Sequence, residues 1–62
     1  MPIVKIDMWE GRTDKQKEKL IESVTNAVAD TLGISKENIT IIINDVPKTN
    51  WGIKGEQASK LR

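Results

Sequence analysis

The sequence contains no cysteine, histidine, tyrosine or phenylalanine. Without cysteine there is no thiolate nucleophile and no disulfide to staple a small fold. Without histidine as well, there is no imidazole base, no zinc finger and no haem ligation through His. The aromatic residues reduce to two tryptophans, Trp9 and Trp51, which is too few for a base-stacking platform on a sheet. A surplus of charge is lacking too: 10 Lys+Arg stand against 9 Asp+Glu, a net charge of +1. That balance leaves no electrostatic footprint for nucleic acid. No apolar run approaches the roughly 20 residues of a membrane-spanning helix, and no signal-peptide pattern opens the chain. The expectation is a cytoplasmic protein with no nucleic-acid partner, no membrane partner, no metal and no cofactor.

Length is also in short supply. The chain has 62 residues and a mass of 7.0 kDa, and it reads as one domain over 1–62. Surface scaling gives about 10,000 Å² unfolded and about 4,000 Å² folded for that mass. If about 60% of the buried area is apolar, burial contributes on the order of 90 kcal/mol. Ordering the chain at about 1.5 kcal/mol per residue costs on the order of 90 kcal/mol as well. The balance is near zero, so the chain is either a highly idealised monomer or an oligomer that shares its core.

What is present falls into three elements and a tail. Ile3 to Trp9 alternate as a strand, with Val4, Ile6 and Met8 on one face and Ile3, Lys5, Asp7 and Trp9 on the other. Gly11 breaks it. Thr13-Asp14-Lys15-Gln16 has the spacing of a capping box. A helix is predicted from about Asp14 to Leu32, with an apolar stripe of Leu20, Ile21, Val24, Ala27, Val28 and Leu32 and with Gly33 as its stop. Ser35 is placed to cap a short turn. Ile39 to Asn44 is a β-branched run, read as a second strand buried on both faces. Strand, long helix, strand is a βαβ unit with parallel strands and a right-handed crossover. Beyond Asp45, the turn residues Pro47, Asn50, Gly52 and Gly55 punctuate the chain. A short strand or hairpin is expected around Trp51-Gly52-Ile53, and one or two helical turns over Glu56 to Leu61. One helix covers one face of such a sheet, so the other face should meet another subunit.

With the usual bases absent, the chemistry narrows. Removal of Met1 would expose the secondary amine of Pro2. A free α-amine titrates near about 8, and desolvation or a nearby cation lowers that value. Such an amine is a usable general base. The plainer alternative is that Pro2 is tolerated at the start of an edge strand. Arg12, beside the helix start, suits a carboxylate; its alternative is a surface pair with Glu10 or Asp14. Trp9 and Trp51 are each more often core or interface filling than a substrate wall. Lys15, Lys17 and Lys19 read as a solvated helix face. Gly52-Ile53-Lys54-Gly55 lacks the spacing of a phosphate loop and reads as a turn.

Taken in order, Pro2-Ile3, Glu10-Gly11-Arg12-Thr13-Asp14, Gln16-Lys17, Leu20-Ile21, the isoleucine strand, Gly52-Ile53, Gly55-Glu56 and Ala58-Ser59-Lys60 resemble the 4-oxalocrotonate tautomerase family, the amino-terminal-proline tautomerases. The resemblance spans 2–62 without a gap. It implies an α/β (α+β) fold: a β-α-β tautomerase subunit with a small C-terminal hairpin, strands pairing across a dimer into a four-stranded sheet. It implies a homohexamer built as a trimer of dimers, or a dimer. It implies a cofactor-independent isomerase that moves a proton between enol and keto forms of a 2-hydroxy-dienoate or 2-keto acid. By position, Pro2 is the general base, Arg12 of a neighbouring subunit binds a substrate carboxylate, Trp51 is the aromatic wall and Trp9 lines the pocket. Thr40 stands where the best-known members carry a second arginine. Loss of such a charge typically costs about 10²–10³ in rate, which counts against 2-hydroxymuconate as a fast substrate; Lys48 and Lys54, near Trp51, are the cations at hand to compensate. Ile53 stands where dehalogenating relatives carry an acid, which argues against hydrolytic dehalogenation. The alternative from another class is a weakly active or non-catalytic oligomer of the same fold, acting as a scaffold or binding module.

Overall fold

The alternation at the start of the chain builds strand β1, Ile3–Trp9, in which every second residue is half-buried. In the computed structural model, which describes residues 1–61, β1 pairs in parallel with β2, Thr40–Val46. The register sets Ile3 opposite Thr40, Ile6 opposite Ile43 and Trp9 opposite Val46. Helix α1, Asp14–Leu32, makes the crossover between them. The β-α-β unit and the boundaries of β1 and α1 follow the sequence reading. Strand β2 runs further than expected: Asp45 and Val46 stay paired with Met8 and Trp9, and the Glu10 amide donates to the Val46 carbonyl at 3.1 Å.

Both ends of α1 are chemically fixed. The Gln16 amide donates to the Thr13 hydroxyl at 3.1 Å, and the Thr13 amide donates to the Gln16 side chain at 2.9 Å. This is the reciprocal capping box, which satisfies two orphan donors. At the far end Gly33 adopts φ 66°, a left-handed position that favours glycine, and its amide closes on the Ala29 carbonyl at 2.9 Å.

Packing departs from the sequence reading in two places. The helical stripe is only partly covered. Leu20, Val24, Val28 and Ala29 turn toward the sheet, whereas Ile21 and Leu32 are exposed. A shallow groove lined by Ala27, Val28, Thr31 and Leu32 remains open. The isoleucine strand, expected to be buried on both faces, is covered on one: Ile41 and Ile43 are half-buried, and Ile42 is exposed with Ile3 and Trp9. The reason is that one helix spans one side of a two-stranded sheet.

Lys17 is not part of a solvated lysine face either. It is half-buried and pairs with Asp45 at the end of β2, tying the first turns of α1 to the sheet. The hydrogen bond that Lys17 donates to Asp45, and then the negative charges of Asp45 and Asp14, hold the Lys17 ammonium above its ordinary value.

The C-terminal segment forms the expected hairpin, from β3, Gly52–Ile53, and β4, Glu56–Gln57. Lys54 (φ 52°) and Gly55 (φ 82°) make its two-residue turn, the geometry that matches strand twist. Glu56 and Gln57 are therefore strand where helical turns were expected. One short 3₁₀ turn follows, Ala58–Lys60. Ala58, only 2% exposed, donates its amide to the Trp51 carbonyl at 2.7 Å, and the Gln57 side chain donates to the Thr49 carbonyl at 2.9 Å. The tail thereby anchors the turn that carries Trp51.

Ala29 and Ala58 are the only buried apolar residues among those described. The subunit exposes 4986 Å², against about 4,000 Å² for its mass. Its radius of gyration is 14.5 Å, against about 10.6 Å for a compact chain of this length. The excess surface is comparable with the roughly 800 Å² that each partner gives to a standard protein interface.

Two predictions follow from this packing. Sedimentation at micromolar concentration should give a mass that is a multiple of 7.0 kDa; a monomer there would contradict the shared core. For Lys17, a raised folded-state value means that its contribution is complete below the ordinary lysine value of about 10.5 and is lost as pH rises beyond it. Denaturant midpoints measured across that alkaline range should fall more steeply for the parent chain than for Lys17→Met.

Candidate functional site

The end of β1 that carries Trp9 leads into a sharp turn. Gly11 sits at φ 115°, a position that favours glycine, and directs the chain toward the N-cap at Thr13. Arg12 is held between these two fixed points, exposed and beside the helix start. The anticipated pair with Glu10 or Asp14 does not form: among the described residues the recorded salt bridge is that of Lys17 with Asp45. Among the described residues no acid pairs with the Arg12 guanidinium.

Arg12, Met8, Trp9 and Trp51 line a mainly apolar cleft of about 210 Å³. The two indoles meet edge to face, with centroids 6.2 Å apart and planes at 82°. This is a favoured aromatic geometry, and it joins the end of β1 to the turn Lys48–Asn50 that precedes Trp51. A cation in an apolar, aromatic-walled cleft suits an anion on a flat conjugated body: the guanidinium supplies a two-pronged donor, and the indoles supply faces that exclude water.

Pro2 and Thr40 lie elsewhere. The Thr40 amide donates to the Pro2 carbonyl at 3.1 Å, so these two are neighbours at the opening end of the parallel pair. Thr40 is exposed and Pro2 half-buried. Seven residues of extended chain separate Pro2 from Trp9, about 23 Å at 3.3 Å per residue. The five residues singled out from the sequence therefore form two groups in one subunit, Arg12 with Trp9 and Trp51 at one end of the sheet, and Pro2 with Thr40 at the other. While Met1 is attached, the Pro2 nitrogen is a tertiary amide with no basicity.

Two cleft features were not assigned from the sequence. Met8 was read only as a residue of the inner strand face; its place as the last inner-face residue before Trp9 was the available signal. From the sequence, Lys48 stands with Lys54 only as a cation near Trp51 at hand to compensate for the missing second arginine. In the structure its Nζ lies 4.8 Å from the centroid of the Trp9 ring. Lys48 thus adjoins the cleft through Trp9 without being one of its lining residues, and Lys54 sits at the hairpin tip. Among the described residues no cluster of acidic side chains is arranged to hold a metal ion, and no helix is long and apolar enough to cross a membrane.

Comparison with known proteins adds the following. The family model described as "Tautomerase enzyme" matches residues 2–60. A 2-hydroxymuconate tautomerase of Comamonas testosteroni is 46% identical over 61 residues, covering 98% of this chain and 97% of the relative. A structure from work on 4-oxalocrotonate tautomerase isozymes of Methylibium petroleiphilum superposes with a TM-score of 0.92 at 48% identity, covering 97% of each chain. A chain of a heterohexameric 4-oxalocrotonate tautomerase from Chloroflexus aurantiacus J-10-fl superposes at 0.93 with 32% identity and full coverage of both chains.

Proposed function

The chain belongs to the tautomerase family and is an isomerase of that family, and on this premise we propose that Pro2, freed by removal of Met1, moves a proton between the enol and keto forms of a 2-hydroxy-dienoate or 2-keto acid. The observation that carries this reading is that Arg12, with no salt bridge recorded among the described residues, lines an apolar cleft with Trp9 and Trp51, at the opposite end of the strand that begins beside Pro2. In an assembly of several copies, the Arg12 cleft of one subunit faces the Pro2 end of another, and the site is completed between them. The heterohexameric relative supports an assembled form of this kind.

The chemistry uses no cofactor. The neutral Pro2 amine takes a proton from one position of the substrate, the electron pair spreads over the conjugated enolate, and the Pro2 ammonium returns the proton at another carbon. Arg12 holds the carboxylate remote from the amine. Its charge and the dry indole walls both disfavour a protonated amine, which keeps Pro2 basic near neutral pH. Thr40, at the Pro2 end, donates one hydrogen bond to the substrate oxygen there. A hydroxyl does not neutralise developing charge as an arginine does, so 2-hydroxymuconate turnover should be lower by about 10²–10³ than with an arginine at that position. This absence of charge also favours the second reading, an oligomer of the same fold whose main role is binding.

The test is kinetic. With ketonisation of 2-hydroxymuconate and of phenylenolpyruvate as readouts, Pro2→Ala should lose about 10²–10⁴ in kcat, and Arg12→Ala should act mainly by raising KM. If the parent chain and Pro2→Ala are equally slow on both substrates, the proton-transfer reading fails. Intact mass of protein from its native cells should show Met1 absent; retention of Met1 would leave no amine to act as base and would leave the binding role.

A further inference from the structure

The Arg12 cleft is flanked by a second cation. Lys48 opens the turn Lys48–Asn50, and its Nζ rests 4.8 Å from the centroid of the Trp9 ring, one of the cleft walls. A ring face attracts an ammonium through its quadrupole. Unlike a carboxylate, it does so without cancelling the positive charge. Trp9 is itself braced edge-on against Trp51 at 6.2 Å, so the seat of the ammonium is fixed on two sides. The recorded salt bridge among the described residues involves neither Arg12 nor Lys48. Among the described residues, then, Arg12 lines this mainly apolar cleft and Lys48 adjoins it across the Trp9 ring, neither with a recorded acidic partner, while the Pro2 end of the sheet offers the neutral Thr40. The flexible four-carbon stem lets the Lys48 ammonium leave the ring and meet an incoming anion with no backbone movement.

We propose that Lys48 is a second anion-binding residue of this cleft, gripping together with Arg12 the carboxylate of a planar conjugated acid at the end remote from the Pro2 amine. The inference rests on the reading above for what the cleft takes. It shifts the electrostatic selection of substrate toward the remote carboxylate, and it distinguishes Lys48 from Lys54, which lies on the hairpin turn.

Both tryptophans of the chain are in the cleft walls, so intrinsic fluorescence titrated with cis,cis-muconate, a dicarboxylate with no enol to ketonise, reads binding directly. Loss of one charge-assisted contact should weaken muconate binding about tenfold in Lys48→Met, and the affinity should depend less steeply on salt than in the parent chain. Lys48→Met keeps an apolar stem against Trp9, and circular dichroism checks that the fold is retained. Lys48→Arg preserves the charge and stacks on the same ring, so it should bind as the parent does. Equal affinity for Lys48→Met and parent, a Lys48→Arg variant as weak as Lys48→Met, or no muconate binding by the parent each overturns the proposal. The titration is repeated with Pro2→Ala, where no proton transfer by Pro2 operates. The expected binding pattern in a parent chain that ketonises 2-hydroxymuconate and phenylenolpyruvate no faster than Pro2→Ala would sink the proton-transfer reading and leave Lys48 in place; parent ketonisation that is lost in Pro2→Ala, with unchanged Lys48→Met affinity, would do the reverse.

Discussion

The parallel pairing of β1 and β2 is the constraint on which the rest of this small molecule depends. It sets Ile3 beside Thr40 and Trp9 beside Val46, and in doing so it fixes two chemically different ends. A parallel pair needs a long crossover, and α1 supplies it. Because α1 must leave from one end of the sheet and return to the other, its N-terminus and Arg12 lie at the Trp9 end. The start of β1, with Pro2, lies at the far end. No rotamer change closes about 23 Å. If Pro2 and Arg12 serve one substrate, they come from different copies of the chain.

The same constraint leaves the sheet half covered. One helix spans the face formed by Val4, Ile6, Met8, Ile41 and Ile43, and the face with Ile3, Trp9 and Ile42 stays open. Stability and site assembly are therefore one problem. In the proposed assembly, a contact that buries the open apolar surface would also bring a second chain's end residues within reach of the cleft. A chain of 62 residues does not enclose a dry pocket alone, and sharing the walls between copies removes the need to.

Much of this was legible in the sequence because local rules and tertiary needs agree. Alternation over Ile3–Trp9, the Thr13–Gln16 capping box and Gly33 determined the first strand and both ends of the helix to the residue. The departures occur where a local pattern has no access to its partner. Asp45 and Val46 do not look like strand, but Met8 and Trp9 opposite them extend the ladder. Glu56 and Gln57 have helical propensity, but the Lys54-Gly55 turn folds them back onto Gly52 and Ile53. Lys17 looks like its neighbours Lys15 and Lys19, and only the end of β2 singles it out as the partner of Asp45. Of the site, the identities of Arg12, Trp9 and Trp51 were visible, but not that they share one cleft. That depends on Ala58 and Gln57 pinning the Trp51 turn from residues downstream of it.

Charge placement gives the last step. In an enolisation site, a cation at the carbonyl end stabilises developing charge, and a cation at the remote carboxylate mainly holds the substrate. On the proposed reading the carbonyl end has Thr40 and the remote end has Arg12, with Lys48 on the Trp9 face beside it. Electrostatic strength is thus weighted toward binding and away from charge stabilisation at the reacting atoms. A proton shuttle with that distribution works best on substrates whose enolate charge is already spread by conjugation. Such substrates need less help at the carbonyl oxygen, and their flat bodies suit a cleft walled by indoles. The neutral hydroxyl of Thr40 and the aromatic walls are then two parts of one preference, for extended conjugated acids over small localised enols.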